Sequence, residues 1–249
     1  MPADVDQLRE VITRADSHQE KLAAALVKLE DRITDLMATA PLKDGELFDL
    51  EWAIAARVQL RNAIEEEYLA TVDGLVREYT VIADDVAAML NTYADVTKLD
   101  PNIISELQSM TFKGFEDLGQ NYLDAVSKEL YESTLTGATF AQSLSTIKAS
   151  VNANLGRYAS QGLHDALMQF DATVNTKIAI EAGATEFKYY GSDDEATRDF
   201  CEKHVGKTYT KEEIDSIWEG SWAGKISGDP FVVRGGYNCR HRFRGVFEE

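Results

Sequence analysis

A chain of 249 residues with 44% hydrophobic content is long enough to bury one large core or two modest ones. Its net charge of −18 argues against a general nucleic-acid binder, because phosphate contacts need basic surface. Two cysteines do not make a disulfide framework, no apolar run approaches the roughly 18 residues of a membrane span, and "MPADVDQLRE" lacks the basic start and apolar core of a secretory signal.

The first predicted helix covers residues 5–38. Leu8, Ala15, Leu22, Leu29 and Leu36 recur at seven-residue intervals, and Ile12, Gln19, Leu26 and Ile33 form a second series. Together they make the two seam positions of a heptad, with Gln19 as a polar seam residue. "APLKDGE" then interrupts the pattern, with Asp44 as the expected cap of a second helix over residues 46–94. Tyr68, Leu75, Ile82 and Met89, with Val72, Tyr79, Val86 and Tyr93, give this helix its own heptad. Two long seamed helices joined by a short turn read as an antiparallel helical hairpin. The seams either close on each other inside a bundle or bind another chain.

Asp100 and Pro101 open a third helix, as cap and first helical residue. Ile104, Leu107, Phe115, Leu118, Tyr122, Val126 and Leu130 mark its buried face. Thr139 and Gln142 form a capping box for a further helix to about Gly162, weakened at Gly156, and another helix reaches Ala182.

The last 59 residues read differently. They hold eight of the 16 glycines, and their 9 Lys and Arg against 12 Asp and Glu leave most of the negative charge to residues 1–190. "EFKYY" reads as a strand. Ser192 with Glu195 predicts a capped helix carrying "ATRDFCEKH", and Thr210 with Glu213 predicts another carrying "KEEIDSIW". "FVVRGGYNCRHRF" reads as a strand or hairpin bent at Gly235–Gly236. The expected fold is mainly α: a long helical hairpin and bundle over residues 1–185, then a small α+β domain over residues 186–249.

Both cysteines lie in that last segment, each near a histidine. Cys201 and His204 share a helix face, and Cys239 and His241 share a strand face. Two such pairs supply the two sulfur and two nitrogen ligands of a tetrahedral zinc site. A Cys201–Cys239 disulfide and ordinary core packing of the thiols are the alternatives. Arg234, Arg240, Arg242 and Arg244 are the only basic cluster; they are candidates to bind DNA or an acidic protein surface, or to pair with this chain's own carboxylates. The acidic run Asp193, Asp194 and Glu195 is explained by helix capping, and Trp218 and Trp222 read as core. No nucleotide-binding or nucleophile-elbow motif is present. One helical turn holding Cys201 and His204 offers no third group to orient a base.

"DDEATRDFCEKHVGKTYTKEEI…GDPFVVRGGYNCRHRF" resembles the C-terminal domain of phage minor head proteins, the Mu F-like head morphogenesis family. The likeness covers residues 183–249 and departs from some relatives, which end in "CRC" where this chain has Cys239-Arg240-His241. It implies a non-enzymatic virion component, present in the host cytoplasm during assembly, that associates with the portal or capsid protein in head morphogenesis. Its alternatives are a DNA-associated internal protein ejected with the genome and a toxin-like enzyme domain on an assembly arm. Self-association is a further expectation, because a two-helix arm leaves apolar faces to be covered.

Overall fold

The computed structural model describes residues 2–150, 155–192 and 194–247. The fold is mainly α, with a small α+β region at the C-terminus. Helix α1 spans Pro2–Ala38 and α2 spans Leu50–Ala63. One turn of π-helix, Ile64–Leu69, joins α2 to α3, Ala70–Leu90. Helix α4 is Pro101–Thr136, α5 is Phe140–Ser150 and α6 is Arg157–Glu181. No helix among the described residues is long and apolar enough to cross a membrane.

The seam of α1 is real but shifted. Leu8, Ala15, Leu22 and Leu29 are buried, and their companions are Val11, His18 and Ala25 before the stripe passes to Ile33 and Met37. Ile12 and Gln19 lie half-exposed beside it; Gln19 Nε2 donates to the Ser160 carbonyl at 3.0 Å. An α-helix drifts about 20° per heptad against a strict seven-residue repeat, so a straight 37-residue helix cannot keep one series inward throughout.

The second helix begins later than expected. Leu42–Lys43 (β1) and Glu46–Leu47 (β2) pair as a two-residue hairpin. Asp44 and Gly45 form its turn with φ of 53° and 84°, the left-handed pair that favours such turns. Asp49, not Asp44, caps α2, accepting from the Trp52 amide at 3.0 Å. In the π-turn Ile64 and Tyr68 face inward, and the Tyr68 hydroxyl donates to the Phe115 carbonyl at 3.1 Å. Trp52 Nε1 donates to Thr39 Oγ1 while Arg32 pairs with Glu66; one number rises as the other falls, so α1 and α2 run antiparallel. Asp100 accepts from the Asn102 amide at 2.8 Å and opens α4. The Thr139–Gln142 box closes in both directions. Of the helix expected to reach Gly162, α5 covers Phe140–Ser150 and α6 starts at Arg157; residues 151–154 between them lie outside the described residues.

The chain forms two compact units that do not follow the 1–185 and 186–249 division. One comprises Met1–Ser17, Arg77–Gln108 and His164–Glu249; the other comprises His18–Val76 and Ser109–Leu163. In the first unit the C-terminal segment is bound to α6 by the ion pairs Arg242–Asp171 and Arg234–Asp165. That is why the segment groups with a helix that precedes it. In the second unit α2 leaves Leu50, Ile54 and Val58 exposed at four-residue spacing, with Phe48 beside them.

The C-terminal region is built on an antiparallel sheet of Glu186–Gly191 (β3) at the centre, Thr208–Thr210 (β4) on one side and His241–Val246 (β5) on the other. Helix α7 is Asp199–His204 and α8 is Lys211–Trp218, the latter opened by the expected Thr210–Glu213 capping box. Two expectations fail here. Ser192 and Glu195 do not cap α7; Arg198 precedes it without a side-chain cap. Asp194 instead accepts from the Ala196 amide and from Arg240, which holds that stretch as a turn. Asp193 lies outside the described residues. "PFVV" is no strand but the one-turn helix α9, Pro230–Val233, with Asp229 as cap and Pro230 at its first position.

Candidate metal centre

Alternation along β3 turns Phe187 and Tyr189 into the core. Around them pack Phe200 and Cys201 from α7, Ile214 and Trp218 from α8, Phe231 and Val233 from α9, and Phe243 from β5. Trp218 and Trp222 meet edge-to-face within it, as core residues. After α9 the chain reverses through Arg234 (φ 61°), Gly236 (φ 113°) and Asn238 (φ 51°). Asp165 holds this reversal, accepting from the Asn238 amide at 2.9 Å and from Arg234 Nη2 at 3.4 Å. Arg234 Nη2 also donates to the Cys239 carbonyl. The reversal delivers Cys239 beside Cys201 and starts β5 at His241.

The two cysteine-bearing segments therefore converge. Their sulfurs are 3.8 Å apart, and His241 Nδ1 is 3.8 Å from Cys239 Sγ. One ligand atom from each of Cys201, Cys239 and His241 lies within 4.8 Å of the others, and all three residues are buried. This group can hold a metal ion. Two thiolates about 2.3 Å from a tetrahedral zinc stand roughly 3.8 Å apart, whereas a disulfide needs about 2.05 Å; both cysteines are free thiols.

His204 does not join the group. It is buried, but its ring tilts against Phe200 and its Nδ1 is 2.7 Å from the Tyr209 hydroxyl. Burial, then the nearby Lys203 and Lys207, hold its pKa below the usual histidine value, so it sits as a neutral core imidazole. Sequence reasoning missed Tyr189, whose hydroxyl lies 3.3 Å from Cys201 Sγ and 3.6 Å from Cys239 Sγ. The signal was available: Tyr189 follows Phe187 by two residues in a strand. The contact with Cys239 pushes the Cys201 thiol up, and the contact with Cys201 draws Cys239 well down. Burial pushes the Tyr189 phenol well up.

The arginine cluster is engaged by groups of this chain. Arg234 and Arg242 are fully buried and therefore form no external basic face. Arg242 pairs with Asp171, and its Nε donates to the Tyr190 hydroxyl at 2.7 Å. Arg240 pairs with Asp194 at 2.6 Å, and Arg244 lies over the Tyr93 ring.

Comparisons with protein-family models, with curated proteins and with solved structures give no match to this chain.

Proposed function

We propose that this chain is a structural protein of a tailed-phage head, associating with the portal or inner capsid during assembly. The reading rests on the sequence resemblance of residues 183–249. The observation that supports it most is that the motifs carrying the resemblance, "TRDFC", "GKTYT" and "GGYNCRH", are gathered around one core and one Cys/His cluster. The thiols are buried, which favours a fastening role over nucleophilic attack on a substrate. Arg234, Arg240 and Arg242 pair with carboxylates of this chain, and two of them are fully buried, which speaks against the DNA-bound alternative.

The test is sedimentation of the full chain alone and with purified portal protein. Co-sedimentation at micromolar concentration is expected; a folded chain that binds neither portal nor capsid protein at that concentration defeats the proposal. The exposed Leu50–Ile54–Val58 face is the apolar surface such an association would cover. Ile54→Glu and Val58→Glu are expected to change folding stability by less than about 0.5 kcal/mol, as exposed substitutions do, and to abolish co-sedimentation. Undiminished binding by both variants removes this face from the interface.

A further inference from the structure

Three donors leave a tetrahedral ion one vertex short, and the Tyr189 hydroxyl stands beside both sulfurs. Its distances to the sulfurs, 3.3 and 3.6 Å, match the roughly 3.5 Å expected between a sulfur and a lighter donor on a tetrahedral zinc. The Cys201–Cys239 and Cys239–His241 separations of 3.8 Å bring to four the edges of about that size, of the six in a tetrahedron. His241 supports the same conclusion. Its Nδ1 is the ring nitrogen that faces a sulfur, 3.8 Å from Cys239 Sγ.

Gly235 is the second, independent observation. A Cβ built there would lie 2.7 Å from Cys201 Sγ, 2.9 Å from Cys239 Sγ and 2.9 Å from the Tyr189 hydroxyl. Gly235 is not among the glycines with positive φ, so its backbone does not demand glycine. A side chain is excluded because it would enter the triangle formed by the three donor atoms.

We propose that Cys201, Cys239, His241 and the Tyr189 phenol bind one zinc-class divalent ion, and that Gly235 keeps the face of this site open. Two thiolates select a borderline-soft ion over magnesium or calcium. Loading displaces the protons held on the sulfurs and the phenol. The ion then ties β3, α7, the reversal after α9 and β5 at one point. This site stands apart from the head-assembly reading and survives its failure.

The experiment uses the full chain, reduced and stripped with chelator, titrated with cobalt(II) and then zinc(II). One ion per chain is expected, with the absorption of tetrahedral cobalt-thiolate that zinc abolishes, and with a tyrosinate signal rising on loading. Tyr189→Phe is expected to lose the tyrosinate signal and to weaken zinc binding about tenfold or more; Gly235→Ala is expected to weaken it as strongly. His204→Ala should stay within about twofold of the parent, because His204 lies outside the group. Uptake below about 0.2 ion per chain, with thiols reduced and circular dichroism native, overturns the site. Unchanged affinity in Tyr189→Phe without a tyrosinate signal in the parent overturns the four-donor assignment. Cys239→Ser is not used alone, since it can fail by unfolding.

Discussion

Asp171→Ala is expected to lower the unfolding free energy by about 3–5 kcal/mol, the cost of leaving a buried charge without its partner. Both side chains of the Asp171–Arg242 pair are fully buried. Asp171 also accepts from Gln7 Nε2 at 3.0 Å, so its loss orphans two donors. Burial alone would depress the Arg242 pKa, yet Asp171 and Tyr190 outweigh it and hold the guanidinium charged. Folded domains are stable by only about 5–15 kcal/mol, so this variant should lose about a fifth of its stability or more. Urea unfolding read by circular dichroism is the measurement. A control separates the pair's net worth from the orphan penalty: Asp171→Leu with Arg242→Met removes both charges and should cost far less than Asp171→Ala. A loss below about 1 kcal/mol in Asp171→Ala would mean that water or another acceptor reaches Arg242.

That pair also explains why the division of the chain was not legible. Glycine content and charge change near residue 186, which marks a change of architecture. They carry no information about which earlier helix the new segment binds. Asp165 and Asp171 look like ordinary polar residues of a helix until Arg234 and Arg242 are placed upon them. Periodicity read the helices well because burial is one-sided and repeats along the chain. It missed the slide of the α1 seam, which accumulates from helical geometry, and the π-turn at Ile64–Leu69, which has no composition of its own. "GDPFVV" was misread because β-branched residues outweighed a start signal of the same kind as "LDPNI"; Asp229 and Pro230 fill the same cap and first-turn roles as Asp100 and Pro101. At the candidate site the cysteines and His241 were legible as chemistry. Tyr189 was hidden as a strand aromatic, and His204, though close in sequence, is engaged by Phe200 and Tyr209.

The reversal that carries Cys239 into place rests on a close backbone approach as well as on Asp165, and breaking that approach should be nearly as damaging as breaking the ion pair. Gly236 has φ of 113°, and a Cβ there would lie 1.9 Å from the Gly224 carbonyl oxygen. The obstacle is backbone, so no side-chain rotation relieves it. The same carbonyl accepts the Tyr237 amide at 3.2 Å, so moving the 224 loop away breaks a hydrogen bond as well. Overpacking costs about 1–3 kcal/mol, and a side chain in a conformation that L residues rarely adopt adds about 1–3 kcal/mol. Gly236→Ala is therefore expected to destabilise by about 2–6 kcal/mol and to shift Cys239 away from Cys201. Gly206→Ala supplies the comparison. Its φ of 82° is also left-handed, but a Cβ there meets nothing within 4 Å, so only the conformational part, about 1–2 kcal/mol, should appear. Urea midpoints of the two variants measure the difference, and cobalt(II) binding reports whether the thiols still converge. If Gly236→Ala proves no worse than Gly206→Ala and binds cobalt(II) as the parent does, the close approach of residues 224 and 236 is not what holds Cys239 at the site.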